Sequence, residues 1–208
     1  SNVWFRIDQH YRKFIFHVRM SGQVSIMEKL AALFEQIYTN NYLLKVNDRW
    51  QAFVDSTDKW DASPVPLQNR FFTHWAKPFL DKDNKIFVII SDALRYEIGD
   101  ELVSMIRQED RFDASVQPAL SMLPSYTQLG MAALLPNKEI SIPDNENASV
   151  IVDGKSSQGT PNRQKILTNG LSKKSKAIKA DELMSLNKDD CRAIIREHAI
   201  VYVYHNRI

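Results

Sequence analysis

Asp92 and Thr127 are the residues whose type and placement could carry chemistry. Asp92 follows the strongest apolar run of the chain, Ile86-Phe87-Val88-Ile89-Ile90-Ser91, and precedes a helical pattern running from Ala93 to about Arg107. The carboxyl end of a strand is where an α/β fold gathers its site residues, so a carboxylate there can hold a metal or attack. The same residue can instead cap the helix by accepting from its free N–H groups. An Asp-x-Asp phosphatase motif is excluded, because Leu94 fills the second acidic place.

Pro124-Ser125-Tyr126-Thr127-Gln128 stands at a second junction of this kind, ahead of an apolar helix from Tyr126 to Leu135. Ser125 and Gln128 have the Ser-x-x-Gln spacing of a capping box. Thr127 has no part in that box. A hydroxyl in the first turn lies at the positive end of a helix, where phosphate is held. It becomes a nucleophile once its proton is lost, which a bound metal promotes by lowering its pKa. Thr127 therefore needs a carboxylate such as Asp92 to hold that metal.

Two other segments have suggestive composition. Asp153-Gly154-Lys155-Ser156-Ser157 ends like a P-loop, but the glycine required five residues before Gly154 is Ser149, so nucleotide binding is not expected there. From Gly154 to Lys179 there are seven Lys or Arg residues, Lys155, Arg163, Lys165, Lys173, Lys174, Lys176 and Lys179, and no acid. Such a run is a solvated loop or a phosphate-backbone surface, in which Lys173, Lys174, Lys176 and Lys179 would contact DNA. No aromatic residue is interleaved, which argues against a single-strand stacking platform.

The elements that must position these residues change character at Lys85. Before it, Trp4, Ile7, Tyr11, Phe14 and Val18, then Met27, Leu30, Phe34 and Ile37, then Leu43, Val46, Trp50 and Phe53 recur at helical spacing, and these stripes are expected to be core. His10, His17 and His74 lack metal-ligand spacing. After Lys85, strands are expected at Ile86 to Ile90, Phe112 to Leu120, Ser149 to Val152 and Ile200 to Tyr204. Further helices are expected near Arg163 to Leu167 and Asp189 to His198. Alternating strands and helices predict an α/β fold with a mainly parallel sheet flanked by helices. The division is a helical region over 1–84 and an α/β region over 85–208.

Composition sets the outer bounds. The 208 residues are 44% hydrophobic and 25% charged with only 6 Gly and 8 Pro, which excludes collagen-like and disordered classes. Lys+Arg 27 against Asp+Glu 25 leaves +2, so no global field attracts nucleic acid or membrane. The longest apolar run, Ala199 to Tyr204, is far short of the ~20 residues of a membrane span, and no membrane partner is expected. The opening segment has no secretory pattern and Cys191 is the sole cysteine, which together point to the cytoplasm. Only His205-Asn206-Arg207-Ile208 follow the last strand, so the sequence reads as a fragment whose later strands would carry further site residues.

The string Ile86-Phe87-Val88-Ile89-Ile90-Ser91-Asp92-Ala93-Leu94-Arg95-Tyr96-Glu97 resembles the PglZ family of BREX phage-defence systems. So do Leu123-Pro124-Ser125-Tyr126-Thr127-Gln128-Leu129-Gly130-Met131-Ala132-Ala133-Leu134-Leu135-Pro136 and Val203-Tyr204-His205-Asn206. The helical region before Lys85 is similar to the part that precedes that domain. PglZ domains in turn resemble the alkaline phosphatase superfamily, which hydrolyses phosphate mono- and diesters with two metal ions, commonly zinc. The resemblance implies that Asp92 is a metal ligand and Thr127 the metal-bound nucleophile. It implies further Asp and His ligands on later strands, one just past the Tyr-His-Asn strand end. His205 is either a contributor or structural. The fragment alone is expected to bind metal weakly and turn over little. Other proteins of the defence complex are the expected partners, and DNA or a smaller phosphodiester the expected substrate. The competing reading is a non-catalytic scaffold within that complex.

Overall fold

The computed structural model describes residues 4–22, 24–144 and 146–205. In chain order the helices and strands are α1 (Phe5–Met20), α2 (Val24–Tyr38), α3 (Leu44–Asp55), α4 (Lys77–Leu80), β1 (Ile86–Ser91), α5 (Tyr96–Ile106) and α6 (Thr127–Ala133). They continue through β2 (Ile140–Ser141), β3 (Ile151–Val152), β4 (Lys155–Ser156), α7 (Gly159–Gly170), β5 (Ser175–Lys179), α8 (Ala180–Ser185), α9 (Lys188–Glu197) and β6 (Ile200–His205). Two compact units result, one of the residues up to Trp60 with Arg95–Gln117, the other of Asp61–Leu94 with the chain from Pro118 onward. The pattern change at Lys85 is thus not where the compact units divide.

The second unit holds the sheet. β6 lies between β1 and β5, parallel to both, in the order β1-β6-β5. Five of its six residues are buried, as a strand covered on both faces requires. Alternation sends Tyr202 and Tyr204 to one face, into a core with Leu129, Leu135, Val152, Ile166 and Leu167. Val201 and Val203 go to the other, with Ile178, Leu183 and Ile194. A small antiparallel sheet, β2-β3-β4, completes the unit. The mainly parallel, helix-flanked α/β architecture and its helical lead-in are therefore as expected. Asn187 begins α9 by accepting from the N–H groups of Asp189 and Asp190, an ordinary cap.

The first unit is helical. Arg12 of α1 pairs with Glu101 of α5, Lys13 Nζ stands 2.9 Å from Glu101 Oε1, and the buried Glu97 takes Arg95 Nη2 at 2.7 Å. Tyr38 and Tyr42 both donate to Asp8, at 2.6 and 2.8 Å. Among the described residues no helix is long and apolar enough to cross a membrane.

Several expected elements differ. Phe112 to Leu120 is no strand: only Leu120 makes a bridge, to Leu67, because Pro118 removes a ladder donor and Phe112 faces solvent. The strand at Ser149 to Val152 shrinks to β3 and pairs antiparallel, outside the main sheet. β5 lies inside the basic run that read as loop. The apolar stripes of the first unit are core only in part, Val18 being buried and Tyr11 and Phe14 half-buried. Trp4, Phe34, Trp50 and Phe53 are all exposed, since periodicity reveals an apolar face without revealing what covers it.

Candidate functional site

β1 ends at Ser91, paired in register with His205 of β6, and the Asp92 N–H still donates to the His205 carbonyl at 3.1 Å. The ladder thus carries Asp92 to the carboxyl edge of the sheet. There the chain leaves the strand through Ala93, whose φ of +53° is a left-handed conformation that a Cβ disfavours. Within this turn Asp92 Oδ1 accepts from the Ala93 N–H at 3.0 Å.

Neither capping account survives. The helix after β1 starts at Tyr96, four residues on, with Arg95 at the N-cap position and no side-chain cap, so Asp92 is too far away to cap it. Tyr126 occupies the N-cap position of α6, again with no side-chain cap. Ser125 and Gln128 therefore form no capping box, and Gln128 Oε1 is buried without a hydrogen-bond partner. Thr127 is the first residue of α6. That helix is held from below by Leu129, Met131, Ala132 and Ala133, all buried, and at its far end by the Tyr202 hydroxyl donating to the Leu134 carbonyl at 2.9 Å.

The two residues meet. Thr127 Oγ1 stands 3.5 Å from Asp92 Oδ2, in an open cavity of about 380 Å³ that Gln68, Ser91, Ser125 and Tyr126 also line. For an O–H···O hydrogen bond that is long, the usual range being about 2.5–3.0 Å. It is close to the ~3.4 Å that separates two oxygen ligands of one tetrahedral ion with metal–oxygen bonds of about 2.1 Å. Both donors are hard oxygens, suited to a divalent cation. Their chemistry and spacing fit one edge of a metal site. Among the described residues there is no group of three or more His, Cys, Asp or Glu side chains placed to hold a metal ion.

His205 turns Nδ1 toward Ser91 Oγ at 3.3 Å and is partly buried at the strand end. Asn206, the last residue of the quoted strand-end motif, lies outside the described residues, as do Arg207 and Ile208. The P-loop look-alike is a hairpin: Asp153 and Gly154 have φ of +47° and +77°, the left-handed pair of a tight two-residue turn joining β3 to β4. Asp153 then accepts from the Lys138 and Glu139 N–H groups.

The basic run does not form one surface. Lys173 is tied to Asp83, Nζ to Oδ1 at 2.5 Å, and also donates to the Leu80 carbonyl. In β5, alternation places Lys176 on the face of Ile178 and Lys179 on the face of Ala177, which pack into different cores. Lys174 is exposed just before the strand. Arg163, counted with these lysines in the sequence, is buried on α7. Its burial had no signal in the composition of the run; its place among Ile166 and Leu167 on one helical face was the available clue.

Comparison with known proteins adds family context. A family described as the BREX system PglZ alkaline phosphatase-like domain matches residues 71–208, more than half of the chain. The alkaline phosphatase-like protein BrxZ of Escherichia coli O9:H4 (strain HS) is 39% identical over 211 residues, covering 98% of this chain and 24% of that protein. The alkaline phosphatase-like protein PglZ of Bacillus cereus (strain H3081.97) is 35% identical over 210 residues, covering 100% of this chain and 24% of that protein. The chain spans about a quarter of the length of these relatives.

Proposed function

The chain belongs to the PglZ family of BREX alkaline phosphatase-like domains, and on that premise we propose that it carries the nucleophile and one metal ligand of a phosphoester hydrolase active in phage defence. The observation that carries this reading is the approach of Thr127 Oγ1 to Asp92 Oδ2 at 3.5 Å in one open cavity. Neither side chain is used to cap a helix, so their meeting has no local structural purpose.

A divalent metal, zinc on the family resemblance, would be held by Asp92 and Thr127 and would supply a Lewis acid that favours the deprotonated hydroxyl. The chain's own residues do the rest. The Ala93 turn fixes the Asp92 carboxylate, and Asp92 Oδ2 orients the Thr127 hydroxyl. Thr127 Oγ1 attacks phosphorus in line; the Oγ–P bond forms as the ester P–O bond breaks, and the departing oxygen takes a proton. Water then cleaves the Oγ–P bond, releases phosphate or a phosphomonoester and restores the hydroxyl. The half-open cavity admits a phosphodiester from solvent, whether DNA or a smaller ester.

On this reading the protein works with other components of the BREX system, in the cytoplasm. The test is hydrolysis of a chromogenic phosphodiester by a protein of the relatives' full length that carries this chain, with and without Thr127→Ala. Loss of turnover with the fold retained supports the hydrolase. Unchanged turnover, or none in the parent, leaves the domain a scaffold of the complex.

A further inference from the structure

Gln68 lines the cavity of Asp92 and Thr127, and neither the nucleophile nor the metal edge uses it. It opens a single 3₁₀ turn, Gln68–Arg70. Its N–H donates to the Leu120 carbonyl at 2.8 Å, and the Leu120 N–H donates back to the Pro66 carbonyl at 2.9 Å. The next carbonyl, of Asn69, accepts from Asn137 Nδ2 at 3.1 Å. The backbone on both sides of Gln68 is thereby fixed. Its side chain lies against α6 at Gly130, where a Cβ would stand 3.5 Å from Nε2 and 3.9 Å from Oε1.

Gly130 follows Thr127 by three residues, which puts it on the same face of α6 and about 4.5 Å further along the axis. Both line the cavity. The helix therefore sets the Gln68 amide about one turn from the nucleophile, in the same space. The side chain is half-buried, and among the described residues its amide forms no hydrogen bond. A glutamine amide is uncharged and sets two N–H donors beside a carbonyl acceptor. It matches a ligand edge that places an acceptor beside a donor, as nucleobase edges do. The cavity has room for such a group. Its volume of about 380 Å³ falls within the ~300–1,000 Å³ of small-molecule sites, and Leu94, Met122, Met131 and Leu134 give it apolar lining that a phosphoryl group alone does not need.

We propose that Gln68 is a specificity residue of this cavity, its side-chain amide hydrogen-bonding the organic group of the bound phosphoester one helical turn from the atom that Thr127 attacks. The inference rests on the phosphoester reading of the cavity and adds the chemistry of the group that phosphorus carries: planar, uncharged, with a donor beside an acceptor. Gln68 precedes residues 71–208, so the family match assigns it no role.

The test is calorimetric titration of a full-length protein carrying this chain with thymidine 5′-phosphate and with deoxyribose 5-phosphate, which lacks the base. Binding of these monoesters requires no turnover. The parent prefers the thymidine ester. In Gln68→Leu the ratio of the two affinities falls about fivefold, the size of one uncharged hydrogen bond. Gln68→Asn keeps the amide but withdraws it by one methylene, and it lowers the ratio as well, so a Leu variant that fails to fold does not remove the test. A parent with no preference for the thymidine ester, or a folded Gln68→Leu protein with the parent's ratio, overturns the proposal. Hydrolysis of a chromogenic diester separates this inference from the reading beneath it. Turnover that depends on Thr127, with the ratio unchanged in Gln68→Leu, refutes the role of Gln68 alone; a lowered ratio in a protein without turnover refutes the hydrolase alone.

Discussion

Thr127 and Asp92 lie 35 positions apart in the chain, and their side chains meet, Oγ1 to Oδ2 at 3.5 Å, one at the start of α6 and the other just past the end of β1. The strand β1 delivers the carboxylate through its pairing with His205, and the buried face of α6 delivers the hydroxyl. Neither contributes a cap or a core contact to the fold.

That independence predicts how substitutions affect stability. Asp92→Asn and Thr127→Val each change the unfolding free energy by less than about 0.5 kcal/mol, as surface changes away from structural features do. Loss of a true N-cap would cost about 0.5–2 kcal/mol. Urea denaturation of the two variants beside the parent separates these outcomes.

Ala93 holds a φ of +53° immediately after the metal-ligand candidate. A β-branched residue tolerates that conformation poorly, so Ala93→Val is destabilising by about 1–3 kcal/mol. Ala93→Gly relieves the left-handed strain at some cost in unfolded-chain entropy, and stays within about 1 kcal/mol of the parent. The pair of thermal melts reads the turn's strain directly. A Val variant as stable as the Gly variant would show that this turn is not strained.

Tyr202 is buried, and its hydroxyl donates to the Leu134 carbonyl just past α6. Tyr202→Phe keeps the ring and strands that carbonyl, which costs about 1–3 kcal/mol. Because the bond anchors the far end of the helix that carries Thr127, the amide signals of residues 127–134 should shift in the variant. Unchanged stability and shifts would show that the bond contributes nothing to the placement of α6.

Lys13 first, and then Arg12, hold the Glu101 carboxyl below the usual carboxylate range. Its pKa is depressed in the folded state, so its contribution is full above the unfolded value of about 4.3 and is lost as pH falls through the folded value. Burial first, and then hydrogen bonding to Asp8, pushes Tyr42 up to about 12. That contribution is full below about pH 10 and is lost as pH rises through the folded value. Carboxyl carbon titration by NMR for Glu101 and ultraviolet titration of the tyrosines check the two ends. A Glu101 midpoint at or above about 4.3 contradicts the ion-pair account.

The fold class and the ends of its two longest strands were legible in the sequence; the elements between them were less so. Continuous β-branched runs ending in a polar residue mark strand ends well, which is why Asp92 and the last strand could be placed from Ile86 to Ile90 and Ile200 to Tyr204 alone. The helix boundaries next to them were harder to read. A polar residue before a helix looks like a cap at any distance, and only the Ala93 turn and the later start at Tyr96 show that Asp92 is not one. β5 was hidden because Ser-Lys-Ala-Ile-Lys has few apolar residues to alternate, and its strand character comes from pairing with β6. Phe112 to Leu120 misled in the opposite direction, since it alternates well but has Pro118 where a donor is needed. The place of Arg163 follows from its contact with Tyr204, forty-one positions later in the chain, which no local pattern reports.

The most direct measurement is the rate of phosphodiester hydrolysis and the metal content of a full-length protein carrying this chain, compared for the parent, Thr127→Ala, Thr127→Ser and Asp92→Asn. The account predicts a loss of about a thousandfold or more in turnover for Thr127→Ala, as removal of a nucleophile gives, with the fold intact. It predicts partial activity for Thr127→Ser, and reduced metal content together with reduced turnover for Asp92→Asn. Turnover in the Thr127→Ala protein equal to that of the parent would contradict the claim that the Thr127–Asp92 pair is the reacting centre.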